Sequence, residues 1–146
     1  GKVYYQRASE VFNDKPQKLF FLYTETTKKL MILGSICFIG IIIFSPLLIE
    51  IIFGEEWRDS GLIMQIISID IFFKFITSPI GTSFTVVNKQ EIAFYLTLIS
   101  LVFRFVFMFY FRHSLVSLLW ALTVSTSIYY ILYHFLIFIT LKKIPK

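Results

Sequence analysis

Two charged residues, Asp70 and Lys74, lie near the middle of a long apolar segment of the sequence. They belong to a row whose members recur every three or four residues, which places the row on one face of a helix. The row consists of Asp70, Lys74, Thr77, Gly81, Thr85 and Asn88. Charged side chains are costly in a segment that could lie in a membrane, so these residues are candidates for a functional site.

Two later apolar segments carry similar rows of polar residues. One row is Thr97, Ser100 and Arg104, and the other is Thr123, Ser127, Tyr130 and His134. We expect the three rows to face one another or a shared watery cavity, with Phe and Ile side chains directed toward lipid. One acid and two bases leave a local excess of positive charge, which suits an anionic group such as a phosphate.

These residues have more than one interpretation. At ~1.5 Å per residue, Asp70 and Arg104 are expected at depths of ~13 and ~10 Å, so they could meet across antiparallel helices. Asp70, Lys74 and Arg104 could therefore line a transport path, or they could form an ion cluster that locks two helices together. Arg104 could instead extend to the membrane surface. For His134, a packing or hydrogen-bonding role is favoured over a proton relay.

The predicted path residues are thus Asp70, Lys74, Arg104, Thr77, Ser100 and His134. Enzyme signatures such as a Gly-rich phosphate loop, a metal-ligand cluster or a nucleophile elbow are missing from the sequence, so we expect neither an enzyme nor a bound cofactor. The single cysteine, Cys37, excludes an internal disulfide.

The composition is typical of a protein that crosses a membrane several times. Of the 146 residues, 57% are hydrophobic and only 16% are charged, whereas about a quarter are charged in an average soluble domain. The net charge of +5 does not indicate nucleic-acid binding, because the basic residues flank apolar spans instead of following one stripe. We therefore predict an all-α membrane protein.

The predicted domain organisation has two parts. Residues 1–29 form a cytoplasmic or interfacial segment, in which an amphipathic helix begins near Pro16 and leads into the first span. Residues 30–146 form a membrane part with four spans, at about 30–53, 61–87, 92–111 and 115–141, each long enough to cross a hydrocarbon core of ~30 Å. Chain breaks are expected at residues 53–61, 79–81, 88–90 and 112–114.

The distribution of basic residues predicts the orientation. Most of the 14 Lys and Arg residues fall before the first span, in the loop after the second span and in the C-terminal tail, which includes Lys142, Lys143 and Lys146. The opposite loops hold only Arg58 and Arg112. Because cytoplasmic loops carry an excess of Lys and Arg, the N-terminal segment and the C-terminus are predicted to be cytoplasmic.

The order of motifs resembles the C-terminal half of polysaccharide and O-antigen flippases, within the superfamily of multidrug, oligosaccharidyl-lipid and polysaccharide exporters. The resemblance covers residues 3 to about 110. It is carried by the charged approach at residues 4–14, the span that ends at residues 51–54, the turn at residues 56–61 and the polar exit at residues 88–90.

This resemblance implies a transporter of twelve to fourteen helices in two bundles, located in the bacterial cytoplasmic membrane. Its substrate would be an undecaprenyl-diphosphate-linked oligosaccharide, and its partners would be membrane lipid and the N-terminal helices of the same transporter. Lys74 and Arg104 would supply a cationic cavity. Because the first bundle is missing and the chain begins with Gly1, we expect a fragment that does not transport alone.

Three other functions stay open. A multidrug or cation antiporter of the same superfamily would use Asp70 to bind H⁺ or Na⁺. A membrane-embedded glycan polymerase or transferase would need a large outer loop, and the loops here are short. A helical assembly module without transport is the third alternative.

Overall fold

The structure is a computed structural model that describes residues 1–144, so Lys146 of the predicted basic tail lies outside the described part of the chain. Within that part the fold is all helical. A short 3-10 turn covers Glu55–Trp57. The six α-helices are α1 (Lys2–Asp14), α2 (Lys18–Phe53), α3 (Arg58–Ile80), α4 (Ser83–Val86), α5 (Gln90–Tyr110) and α6 (Leu115–Lys142).

Four helical segments are long and apolar enough to cross a membrane, which confirms the predicted number. They are α2, the stretch Glu55–Val86 that contains α3, α5 and α6. The shortest, α5, has 21 residues and is ~32 Å long at ~1.5 Å per residue, which matches a hydrocarbon core of ~30 Å. None of the residues of α5 is buried, and its surface of Phe, Leu and Val side chains is typical of contact with lipid.

The N-terminal segment differs from the prediction. The sequence placed an amphipathic helix at residues 16–29 that would lie on the membrane and then lead into the first span. In the structure α2 begins at Lys18 and continues unbroken for 36 residues, so residues 18–29 form its first turns. No Gly or Pro interrupts residues 18–33, and Lys29 pairs with Glu25 one turn earlier at 2.6 Å, an arrangement that supports a continuous helix.

The four predicted chain breaks are present, including the end of α3 at Ile80, and the other three have a local cause. Gly54 ends α2 with a φ of 99°, a conformation that glycine adopts without steric cost. Asn88 has a φ of 54° before α5 begins. The Ser114 side chain accepts a hydrogen bond from the backbone N–H of Ser117 and so caps α6.

The main helices pack in the order α2, α3, α6, α5, so α3 lies between α2 and α6. α2 and α3 approach each other closely at Gly61, where a Cβ atom would lie only 2.4 Å from the Cα of Pro46. At the same place the Ser45 hydroxyl donates a hydrogen bond of 3.0 Å to the Gly61 carbonyl. One turn further, the Gln65 amide donates to the carbonyl of Ile42.

The two short helices, α1 and α4, pack together at the end of the bundle where α2 begins and α6 ends. Buried apolar residues of this region include Ala8, Leu19, Ile80, Phe84 and Ile137. The Tyr4 hydroxyl of α1 lies 2.7 Å from the Ser83 hydroxyl of α4. Burial raises the pKa of Tyr4, so this hydroxyl stays protonated at neutral pH and can take part in the hydrogen bond.

Candidate functional site

A groove lies between α3 and α5, with α6 as its floor. One section has a volume of about 400 Å³, and its polar lining includes Lys74, Thr77, Gly81, Thr85, Thr97 and Tyr133. The adjoining section has a volume of about 350 Å³ and is lined by residues that include Thr97, Ser100, Leu101, Arg104, Tyr129 and Tyr130. Thr97, Tyr129 and Tyr130 border both sections, so we describe them together as the polar groove.

The polar groove contains one cation in each section. Lys74 is exposed in the section toward α4. Arg104 is half-buried in the other section, and its guanidinium carbon lies 5.6 Å from the centre of the Tyr129 ring. A cation over an aromatic face is attracted to the ring quadrupole. The buried Nε of Arg104 has no hydrogen-bond partner, which leaves a donor that a bound anion could use.

Asp70 lies beside this groove without a direct partner. Its Oδ1 atom is buried and accepts no hydrogen bond. The ion pairs within residues 1–144 are Lys29–Glu25 and Arg58–Glu50. The three charges therefore lack the contacts within 4.0 Å that an ion cluster locking two helices would require.

The floor of the polar groove is formed by tyrosines of α6. The sequence rows contained Tyr130, but they did not contain Tyr129 or Tyr133. The Tyr129 hydroxyl lies 3.0 Å from the Thr97 hydroxyl of α5, and the Tyr133 hydroxyl donates a 3.2 Å hydrogen bond to the Gly81 carbonyl. Their spacing of four residues, which places both on one helix face, was the signal that could have identified them.

His134 is directed to the junction of three helices and is not among the residues that line the polar groove. Its Nε2 atom lies 3.0 Å from the Thr77 hydroxyl of α3, and its Nδ1 atom lies 3.1 Å from the Tyr23 hydroxyl of α2. Because Thr77 donates its own hydrogen to the Phe73 carbonyl at 2.8 Å, it accepts from Nε2–H. The Tyr23 hydroxyl also donates to the His134 backbone carbonyl at 3.2 Å, so this tyrosine contacts both the ring and the backbone of His134.

The structure brings four of the six predicted path residues together in the polar groove and places the other two outside its lining. Lys74, Thr77, Ser100 and Arg104 line the polar groove, whereas Asp70 lies beside it and His134 is bonded to Thr77. The Ser100 hydroxyl is bonded to the carbonyl of Thr97 at 2.8 Å. The rest of the α6 row makes helix contacts: Thr123 donates to the carbonyl of Ile66 on α3 at 3.4 Å, and Ser127 to that of Thr123 at 2.8 Å.

The chemistry of the polar groove is that of binding. It offers two cations, several hydroxyl groups and the flat faces of tyrosine rings, which suit a ligand with an anionic group and many hydroxyls. Residues 1–144 contain no group of three or more His, Cys, Asp or Glu side chains that could hold a metal ion.

Comparison with known proteins found no matching family model, no similar curated protein and no similar solved structure.

Proposed function

We propose that this chain crosses the bacterial cytoplasmic membrane four times and forms part of a flippase for lipid-linked oligosaccharides. The observation that carries the proposal is the polar groove, because two cations and three tyrosines lie together between helices whose other faces are apolar. Polar residues within membrane-spanning helices commonly face a pathway or a water-filled cavity.

Each part of the proposed substrate has a matching surface. Lys74 and the guanidinium of Arg104 would bind the diphosphate through charge-assisted hydrogen bonds. Hydroxyls such as those of Thr85, Thr97 and Tyr130 can donate to and accept from sugar hydroxyls. The undecaprenyl tail would stay in the bilayer along the exposed apolar surface of α5.

The polar groove is open along one side, so further helices would be needed to enclose a substrate. We propose that the N-terminal helices of a transporter with twelve to fourteen spans supply this wall. The two bundles would then rock around the site in alternating access. With the N-terminal segment and the C-terminus in the cytoplasm, the groove section nearest Thr85 would be the one that loads substrate.

The proposal is tested by removing both cations in the gene that encodes this chain. Lys74→Gln together with Arg104→Gln should abolish surface glycan, measured by lectin or antibody binding to intact cells, while the amount of protein in the membrane stays unchanged. Lys89→Gln removes a cation outside the polar groove and serves as the matched control. Normal surface glycan in the double variant would exclude the proposed site.

A second candidate function is suggested by the buried Oδ1 atom of Asp70, which has no hydrogen-bond partner. A cation antiporter needs a carboxylate that can bind H⁺ or Na⁺, and Asp70 is the acid in the middle of α3. This candidate is weaker, because Lys74 lies one helical turn from Asp70 and would compete with a bound cation.

A further inference from the structure

A second cavity lies between α2, α3 and α6, away from the polar groove. Its volume is about 480 Å³. Its lining includes the polar residues Thr24, Thr27 and Lys28 of α2 and the apolar residues Met31, Phe72 and Phe135. Most of the wall is thus apolar, and we call the part to which α2 contributes Thr27 and Lys28 its polar end. We call this cavity the lateral cavity.

The polar end of the lateral cavity has two unused groups. The Thr27 Oγ1 atom is buried and makes no hydrogen bond within 3.5 Å, although the Tyr23 hydroxyl interacts with it at longer range. A buried hydroxyl without a close partner costs free energy unless a ligand or water supplies one. The Lys28 side chain is exposed and belongs to neither of the ion pairs within residues 1–144. Its neighbour Lys29, in contrast, is bonded to Glu25 at 2.6 Å.

The polar end lies near one boundary of the expected hydrocarbon layer. His134 borders the lateral cavity and is bonded to Thr77. At ~1.5 Å per residue, Thr77 lies ~29 Å from Arg58 at the other end of α3, and His134 lies ~29 Å from Leu115 at the other end of α6. This distance equals the ~30 Å thickness of the hydrocarbon core. Thr27 and Lys28 are therefore placed at headgroup level, with the apolar wall extending into one leaflet.

We propose that the lateral cavity binds one anionic phospholipid. The Lys28 ammonium and the Thr27 hydroxyl would bind the phosphate, and an acyl chain would lie against Met31, Phe72 and Phe135. Basic pockets between membrane helices recognise anionic headgroups in this way. The apolar wall distinguishes a lipid from a free phosphate, which would leave that wall unfilled. This inference depends on the membrane-spanning helices and not on the proposed transport function.

The test measures lipid binding to the purified full chain by native mass spectrometry. The delipidated protein in detergent is titrated with phosphatidylglycerol, and in a second arm with phosphatidylcholine. We expect one phosphatidylglycerol to bind in preference to phosphatidylcholine. Lys28→Gln should weaken phosphatidylglycerol binding by about tenfold, the effect of losing one charge-assisted hydrogen bond, and Thr27→Val should weaken it to a smaller extent.

The matched control is Lys29→Gln, which removes an equal charge from the adjacent residue and should leave binding unchanged. Ile131→Trp, which fills the apolar wall without changing any charge, should also reduce binding. Equal binding of both lipids, or equal effects of Lys28→Gln and Lys29→Gln, would overturn the proposal. Displacement of the lipid by millimolar inorganic phosphate would do so as well, because it would identify a free anion as the ligand.

Discussion

The hydroxyl of Thr77 accepts a hydrogen bond from the Nε2 atom of His134 over 3.0 Å, and this contact joins α3 to α6. The other imidazole nitrogen contacts the Tyr23 hydroxyl of α2 at 3.1 Å. One side chain therefore links three helices at the point where the polar groove and the lateral cavity are separated. The site residue that the sequence predicted at position 134 thus holds the walls of both spaces in place.

Thr77 and His134 should depend on each other in their contributions to the stability of the helix bundle. In a double-mutant cycle of Thr77→Val and His134→Phe, we expect a coupling free energy of about 0.6 kcal/mol and at most about 1.7 kcal/mol, the average and the maximum for interhelical hydrogen bonds in membranes. Unfolding in mixed micelles, monitored by circular dichroism, measures the four stabilities. Strictly additive effects would show that the two side chains do not interact.

The close approach of α2 and α3 makes Gly61 sensitive to substitution. Gly61→Ala should lower the free energy of unfolding by about 2 kcal/mol or more, because the added Cβ would overlap the backbone of Pro46. Gly40→Ala is the matched control: nothing lies within 4 Å of the added atom, so the variant should be neutral or stabilised by up to about 1 kcal/mol. The same unfolding assay measures both, and equal effects would contradict this packing.

The contact between α1 and α4 should depend on one hydroxyl. Tyr4→Phe removes the 2.7 Å hydrogen bond to Ser83 and should destabilise the docked α1 by about 1 kcal/mol. Hydrogen exchange measured by mass spectrometry should show faster exchange in Lys2–Asp14, with α5 unaffected. Tyr5→Phe, at an exposed neighbouring position, should leave the exchange of α1 unchanged. Unaltered exchange in the Tyr4 variant would mean that apolar burial alone holds α1.

Single substitutions at Asp70 and Lys74 distinguish the two candidate functions. If the flippase proposal is correct, Lys74→Ala should reduce surface glycan by about tenfold, as expected for the loss of a charge-assisted contact to phosphate, whereas Asp70→Asn should have a smaller effect. The opposite pattern, with Asp70→Asn inactive and Lys74→Ala tolerated, would favour the cation antiporter. Export of a cationic dye from the same cells provides the second measurement.

The helices of this fold can be predicted from local features of the sequence. The four long apolar helices follow from the length of their apolar runs, and the breaks at Gly54, Asn88 and Ser114 follow from local backbone and capping preferences. The helical rows also identified Lys74 and Arg104, because helix periodicity depends only on the spacing of residues. The prediction missed the continuity of α2, since it placed residues 16–29 in an interfacial helix before the first span, whereas α2 runs unbroken from Lys18 to Phe53.

The neighbours of each helix, in contrast, depend on packing between distant parts of the chain. The sequence predicts that Asp70 and Arg104 lie on two adjacent helices. In the structure, α6 packs against both α3 and α5 and contributes the tyrosine floor between them. The packing of α6 against α2 and α3 also directs His134 toward Tyr23 and not into the polar groove. Helix order and rotation depend on close contacts between distant residues, such as Gly61 against Ser45. Periodicity along one helix carries no information about which other helix packs against it.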